Sequence, residues 1–466
     1  MANNYSAYTD VDQKWVAQIP SHWQAKRLKA VFSIRKEKND PVVTDFILSL
    51  TAKQGVVPYA EKEGAGGNKP KDDLSKYNIA HESDLLVNCM NVVSGSAGVS
   101  KYYGAISPVY YALYPRENEN VWYYHYIFRL VSFQRSLIGL GKGIMMHESD
   151  NGKLNTVRMR ISMDNLGNVL LPVPPKSEQD QIVAYLNWKV SDINRLINTK
   201  RKQIELVKER ELIMIDRLLT AGTNKNCNMQ SIDSSWMPSI PAHWELSRIG
   251  NHFEIRKRIA GKEGFPVLSI TQQGLKEKDI STNEGQMAAN YSGYQFVYEG
   301  DFAMNHMDLI TGYIDIASTF GVTSPDYRVF TLIDEEKCYA PYYLLLFQLC
   351  YRRRIFYAYG RGAAAKGRWR MPAVNFKNFI IPLPPIDEQK HIVDAIKPLQ
   401  GETNDVVDNI TKQIELLQEM KASLISDVVT GRVDIRNVEV PDFEYVDEDA
   451  DSDDEGESEE SGEQED

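Results

Sequence analysis

One unit of this 466-residue chain occurs twice, and a duplicated unit restricts the fold to two similar halves in tandem. Trp15, Ile19, Pro20, His22, Trp23, Arg27 and Phe32 recur 221 positions later as Trp236, Ile240, Pro241, His243, Trp244, Arg248 and Phe253. Tyr77, Asp84, Asn88, Met90, Gly95 and Gly104 then match Tyr294, Asp301, Asn305, Met307, Gly312 and Gly321 at an offset of 217. Pro172, Pro174, Pro175, Glu178 and Gln179 return as Pro382, Pro384, Pro385, Glu388 and Gln389, and Gln203–Leu206 returns as Gln413–Leu416, now at an offset of 210. The ends of the unit are close copies, while the middle has drifted and lost residues.

The texture changes at each double proline. Before it, short aromatic and β-branched runs such as DLLVNCMNVV, PVYYALYP, DFAMNHM and YRVFTLI are separated by Gly and Pro, which predicts short strands in a mixed α/β domain. One helix is predicted in each half, over NVWYYHYIFRLVSFQ and APYYLLLFQLCYRR. After it, Ser177 and Asp387 are placed as N-caps, and apolar residues follow at three- and four-residue steps. These are Ile182, Leu186, Ile193, Leu196, Ile204, Val207, Met214 and Leu218 in the first copy. In the second they are Ile392, Ile396, Leu399, Val406, Ile410, Leu417, Leu424 and Val428. Spacing near 3.5 is a coiled-coil seam, and pairing of the two helices within the chain is expected. Lys189, Lys200 and Arg210 fall at core-like positions of that seam, and Pro398 with Gly401 predicts a break, with the long second helix starting near Glu402. The uninterrupted part, roughly 28 residues, would be about 42 Å long.

Composition excludes several classes. No apolar stretch reaches the roughly 20 residues that span a bilayer, and the opening MANNYSAYTDVDQ lacks the layout of a secretion signal, so no membrane partner and a cytoplasmic location are expected. Cys89, Cys227, Cys338 and Cys350 form no C-x-x-C pair, which gives no sign of a zinc site or a disulfide framework. The net charge of −11 is uneven: from Glu439 to Asp466 there are 16 acidic residues and no basic ones. Setting those aside leaves 48 acidic residues against 53 basic, a balance compatible with a nucleic-acid partner. The acidic segment itself is expected to be disordered.

Reading base edges takes Arg or Lys for guanine and Asn or Gln for adenine, with cations on phosphate. The two loops that precede the double prolines carry such residues: Lys142, Lys153, Arg158 and Arg160 in the first, and Arg361, Lys366, Arg368, Trp369 and Arg370 in the second. The plain alternative is a solvated basic loop. His22 and His243 have no Cys or carboxylate at ligand spacing, which favours packing and hydrogen bonding over metal; Asn88 and Asn305 have the chemistry to read adenine, but their place within apolar strands favours structural amides. Glu178 and Glu388 fit the first turn of a helix, where a carboxylate meets the positive end of the dipole. No phosphate-binding G-x-x-x-x-G-K-[ST] loop and no methyltransferase-type Asn/Asp-Pro-Pro-aromatic sequence is present, so no catalytic residue and no metal site is assigned.

The repeat, the paired I-P-x-H-W openings, the paired P-x-P-P-x-x-E-Q-x-x-I-V junctions and the long helices closely resemble type I restriction-modification specificity subunits, from about Trp15 to Arg432. The resemblance implies a first target recognition domain over 1–175, a helical spacer over 176–222, a linker over 223–235, a second recognition domain over 236–385, a second spacer over 386–432 and the acidic tail over 433–466. The two spacers would pair as an antiparallel coiled coil. It further implies that the chain binds double-stranded DNA at an asymmetric bipartite site, itself without catalysis. It would assemble with two modification subunits and with restriction subunits, which carry S-adenosylmethionine, ATP and Mg2+ for adenine methylation and ATP-dependent cleavage. The junctions at Glu178 and Glu388 are expected to dock the modification subunits. The rival reading is a DNA-binding adaptor of another phage-defence complex.

Overall fold

The computed structural model describes residues 4–448 except 53, 63–69, 71–72, 142–146, 149–153, 156–159, 279–289 and 363–368. The long-range contacts divide the chain into two compact units that do not follow the linear order of the repeat. Unit 1 takes the residues up to Arg201 together with the segment that begins at Thr411, and unit 2 takes Lys202–Ile410.

Each unit is built on a four-stranded antiparallel sheet. In unit 1, β1 (Phe32–Ile34), β2 (Leu85–Asn88), β3 (Ala97–Val99) and β4 (Tyr110–Pro115) lie in the order β1-β4-β2-β3. In unit 2, β5 (Phe253–Arg256), β6 (Phe302–Met304), β7 (Ile314–Ile316) and β8 (Arg328–Leu332) repeat that order as β5-β8-β6-β7. The register is also shared, since Tyr111 lies opposite Val87 and Arg328 opposite Met304, each pair 217 residues apart from its counterpart. The predicted helices are α1 (Val121–Arg129), capped by Asn120, and α3 (Ala340–Arg352). The first is shorter than expected because the chain turns extended at Leu130 before a separate short helix.

Both double prolines lead into long helices, α2 (Lys176–Ala221) and α4 (Ile386–Val429). They start one residue before the predicted caps. The carbonyl of Pro175 accepts from the amides of Glu178 and Gln179, and Pro385 does the same for Glu388 and Gln389, so Ser177 and Asp387 sit inside the first turn. The expected break at Pro398 is absent. Pro398 and Asp394, the residue whose carbonyl loses its helical donor, are both exposed, so that carbonyl can be solvated. Ile392 and Ile396, buried on the opposite face, hold the helix to the core of unit 2.

Within each unit the two helices pack together in antiparallel fashion. In unit 1 Lys421 Nζ donates to Asn194 Oδ1 at 3.1 Å, and Gln181, further back on α2, reaches the carbonyl of Val438, beyond α4, at 2.6 Å. The buried positions are not all those of the predicted seam: Ile197, Ile215 and Leu219 are buried, whereas Leu196, Met214 and Val406 are exposed. Arg210, placed in the seam by its spacing, is also exposed, and Lys189 lies over the ring of Trp188 at 3.4 Å. The helix ends plug into the domain cores, Val428 and Val429 beside Trp23 and Tyr123 in unit 1, Ile215 and Leu219 beside Trp244 and Tyr342 in unit 2.

The segment expected to be a disordered tail is ordered over its described residues, 433–448, where it runs as a strap along α2. Ser191 Oγ donates to the carbonyl of Glu444 and accepts from the amide of Val446, while Asn194 and Asn198 donate to the carbonyls of Val446 and Asp447 at 2.9 and 3.1 Å. Composition weighs only apolar burial, and here order comes from helix side chains that pair with an extended backbone. Glu448 sits between Arg201, Gln418 and Lys421. Burial raises its pKa, but the hydrogen bonds from Lys421 and Gln418 and the charges of Lys421 and Arg201 outweigh burial and leave it below the ordinary 4.5. A depressed carboxylate contributes stability above its unfolded value and loses it as pH falls through the folded one. Amide exchange at Val446, corrected for its intrinsic rate, is therefore expected to stay slow above pH 4.5 and to accelerate below it. Protection that persists through full protonation would contradict this anchor.

Candidate nucleic-acid interface

The same sequence of elements builds one loop in each unit: helix, basic loop, short helix, then a strand that runs into the double proline. That strand is Leu170–Val173 in unit 1 and Ile380–Leu383 in unit 2, and it pairs with Gln24–Arg27 or with Glu245–Arg248. Each loop is drawn together at its neck by one amide. Asn165 Nδ2 donates to the carbonyl of Leu140 at 2.7 Å, and Asn375 Nδ2 donates to that of Tyr359 at 2.8 Å.

Of the residues predicted from sequence, Lys142, Lys153, Arg158, Lys366 and Arg368 lie outside the described residues. Arg160 is exposed at the exit of the first loop, which also contains the paired two-residue strands His147–Glu148 and Leu154–Asn155. In the second loop Arg361 and Arg370 are brought face to face by reciprocal backbone hydrogen bonds of 2.8 and 3.1 Å, and both are exposed. Trp369 is turned onto the domain: its ring stacks on Tyr357 at 5.2 Å and its Nε1 donates to the Tyr357 carbonyl at 2.7 Å. Gly360 makes room for it, since a Cβ there would lie 2.2 Å from that nitrogen.

Other polar residues singled out by the repeat are used internally. Asn88 and Asn305 accept from the amides of Met90 and Met307, two residues on, which fits the structural-amide reading. Asp84 takes a bidentate pair from Arg35, and Asp301 takes Arg258 at 2.5 Å. His22 donates to Glu178 and His243 to Glu388, both at 2.8 Å.

The junction residues that sequence reasoning treated as helix-end charges prove to be cross-links. Gln179 Nε2 donates to the carbonyl of Pro174 and its Oε1 accepts from the amide of Asn120, the cap of α1. Gln389 repeats this with the carbonyls of Pro384 and Lys337 and the amide of Tyr339. Only the recurrence of Glu-Gln after both double prolines could have flagged these glutamines. Tyr5 adds a second donor to Glu178, and Trp244 Nε1 adds one to Glu388 at 3.0 Å.

Among the described residues no helix is long and apolar enough to cross a membrane, and no group of three or more His, Cys, Asp or Glu is arranged to hold a metal ion. A putative type I restriction enzyme MjaX specificity subunit from Methanocaldococcus jannaschii is 23% identical over 437 residues, 90% of this chain and 96% of that protein. The MjaVIII specificity subunit of the same organism is 24% identical over 289 residues, 58% of this chain and 64% of its own length. A chain solved in work on complex assembly and conformational transition of the type I R-M system shares the fold with a TM-score of 0.57 at 12% identity, over 89% of this chain and 99% of that one. The sequence model of the type I restriction modification DNA specificity domain matches residues 20–206 and again 241–416, one match per copy of the repeat. With both halves matched in this way, the chain belongs to the type I restriction-modification specificity subunits.

Proposed function

We propose that this specificity subunit reads DNA through its two basic loops, one half-site for each unit, and leaves the chemistry to partner subunits. The observation that carries the reading is the pair of loops with matching necks, one in each copy of the family domain. Because the loops differ in sequence, the two half-sites differ and the target is asymmetric and bipartite, with unread base pairs between. Arg160, Arg361 and Arg370 supply the cations that the necks hold exposed. The chain works in the cytoplasm with two modification subunits that methylate adenine from S-adenosylmethionine and with restriction subunits that cleave using ATP and Mg2+. The junctions around Glu178 and Glu388 form docking surfaces for the modification subunits.

The test is Arg361→Ala combined with Arg370→Ala in the full chain co-expressed with its modification subunits. If both guanidinium groups meet phosphate or base edges, affinity for a cognate duplex drops and the slope of log affinity against log salt becomes shallower by up to about 2. Unchanged affinity with an unchanged slope would remove the second loop from the interface.

A further inference from the structure

The exit of each loop is tied to the central sheet by a clasp that is the same in geometry and different in chemistry. In unit 1 the amide of Ile161 donates to the carbonyl of Cys89 at 2.9 Å, and the Ile161 carbonyl accepts from Tyr111 Oη at 3.1 Å. In unit 2 the amide of Met371 donates to the carbonyl of His306 at 3.0 Å, and the Met371 carbonyl accepts from Arg328 Nη2 at 2.7 Å. Ile161 and Met371 are both fully buried, and each directly follows an exposed arginine of the loop, Arg160 or Arg370.

Tyr111 and Arg328 occupy equivalent places on β4 and β8, opposite Val87 and Met304. A phenol and a guanidinium thus perform one task at one register position. Such agreement follows if the task is to fix the carbonyl. Simple filling of space would not need a donor aimed at the same atom in both copies.

Arg328 is costly as mere packing. It is 5% exposed, its guanidinium lies over the ring of Phe376 at 4.8 Å, and among the described residues its Nη1 has no hydrogen-bond partner and no carboxylate pairs with it. Burial pushes its pKa down to about 10, and burial together with the charges of Arg328 and Arg370 pushes that of His306 down to about 3. His306 is therefore neutral at physiological pH and adds no second positive charge beside Arg328. A buried, unpaired cation is expensive, and an apolar side chain of similar length would fill the space at lower cost.

We infer that Tyr111 and Arg328 are positioning residues for DNA recognition, each holding its loop exit, and the arginine just before it, in the reading geometry. The inference rests on the reading of the loops as the DNA-contacting elements. It also assigns the halves different physical characters: under the first loop a phenol whose hydroxyl is hydrogen-bonded to the Arg160 side chain, and under the second a buried guanidinium with no carboxylate partner among the described residues.

The test uses the full chain co-expressed with its modification subunits and a pool of random-sequence duplexes, sequenced after retention. Arg160→Ala identifies which half-site belongs to unit 1. Tyr111→Phe removes one hydroxyl and keeps the ring, so the fold is preserved; it is expected to lower base selectivity at that half-site about tenfold and to leave the other half-site as it was. Tyr126→Phe is the control, because it deletes a hydroxyl of the same unit that donates to Asn187 at 2.7 Å, away from the loop exit. Arg328→Met should give the reciprocal loss at the second half-site. A role confined to stability would lower the yield of retained DNA with both half-sites intact, in Tyr111→Phe as in Tyr126→Phe, and that result overturns the inference while the loop reading stands. If Arg160→Ala and the Arg361, Arg370 pair leave both half-sites unchanged, the loop reading fails and the positioning role fails with it.

Discussion

Gln389→Ala is expected to destabilise unit 2 by about 4 kcal/mol, a large effect for a side chain that touches no ligand. The amide is fully buried and serves three backbone groups: the carbonyls of Lys337 and Pro384 and the amide of Tyr339. Truncation strands all three, at about 1–3 kcal/mol each, with partial relief from relaxation. Because Tyr339 immediately precedes α3, the loss should appear there first. Hydrogen exchange over Lys337–Arg352 should become faster by two or more orders of magnitude while the sheet is less affected. A change under about 1 kcal/mol would mean that water or a local shift replaces the glutamine.

Phe330→Ala should cost as much by a different route. The ring is fully buried in β8, stacks on Phe302 with centroids 5.0 Å apart, and has Phe253, Phe347 and Phe376 at 4.9–6.0 Å. Removing it leaves a cavity walled by stiff rings that cannot collapse inward, so the expected cost is about 4 kcal/mol. Phe330 is two residues from Arg328 on the same strand, and Phe376, which covers the Arg328 guanidinium, would lose its neighbour. The variant should therefore also loosen the exit of the second loop. Denaturant unfolding reports the first effect, and faster exchange of the Met371 amide reports the second. A midpoint within error of the unaltered chain would show that the cluster refills.

Much of this architecture was legible because the repeat is written in residues with narrow structural meanings. The double prolines marked to within a residue where helix begins in both copies, although the second helix was expected to break at Pro398 and start again near Glu402, and the runs PVYYALYP and YRVFTLI fell on β4 and β8. Legibility ended where the outcome depends on what lies across a contact. Pro398 forbids a hydrogen bond but not a helix, and only the exposure of Asp394 and Pro398 shows why the lost bond is tolerated. Leu196 and Ile197 are equally apolar, and packing alone chooses the second for burial. The basic loops could be picked out by charge, yet Trp369 turned inward, and Tyr111 and Arg328 carried no signal because one clasp is made from two unrelated side chains.

The grouping of Trp23 with Val428 and Val429 has a consequence for synthesis. These partners are about 400 residues apart, so the first unit folds through contacts of very high sequence separation, while the second, as far as the described residues go, is complete once Ile410 has been made. On the ribosome, the earlier half must wait with its aromatic interior unsealed until the later half has emerged. A chain cut short between Ile410 and Val428 would yield a finished second unit and an open first one, so a closed first unit certifies that translation passed that point.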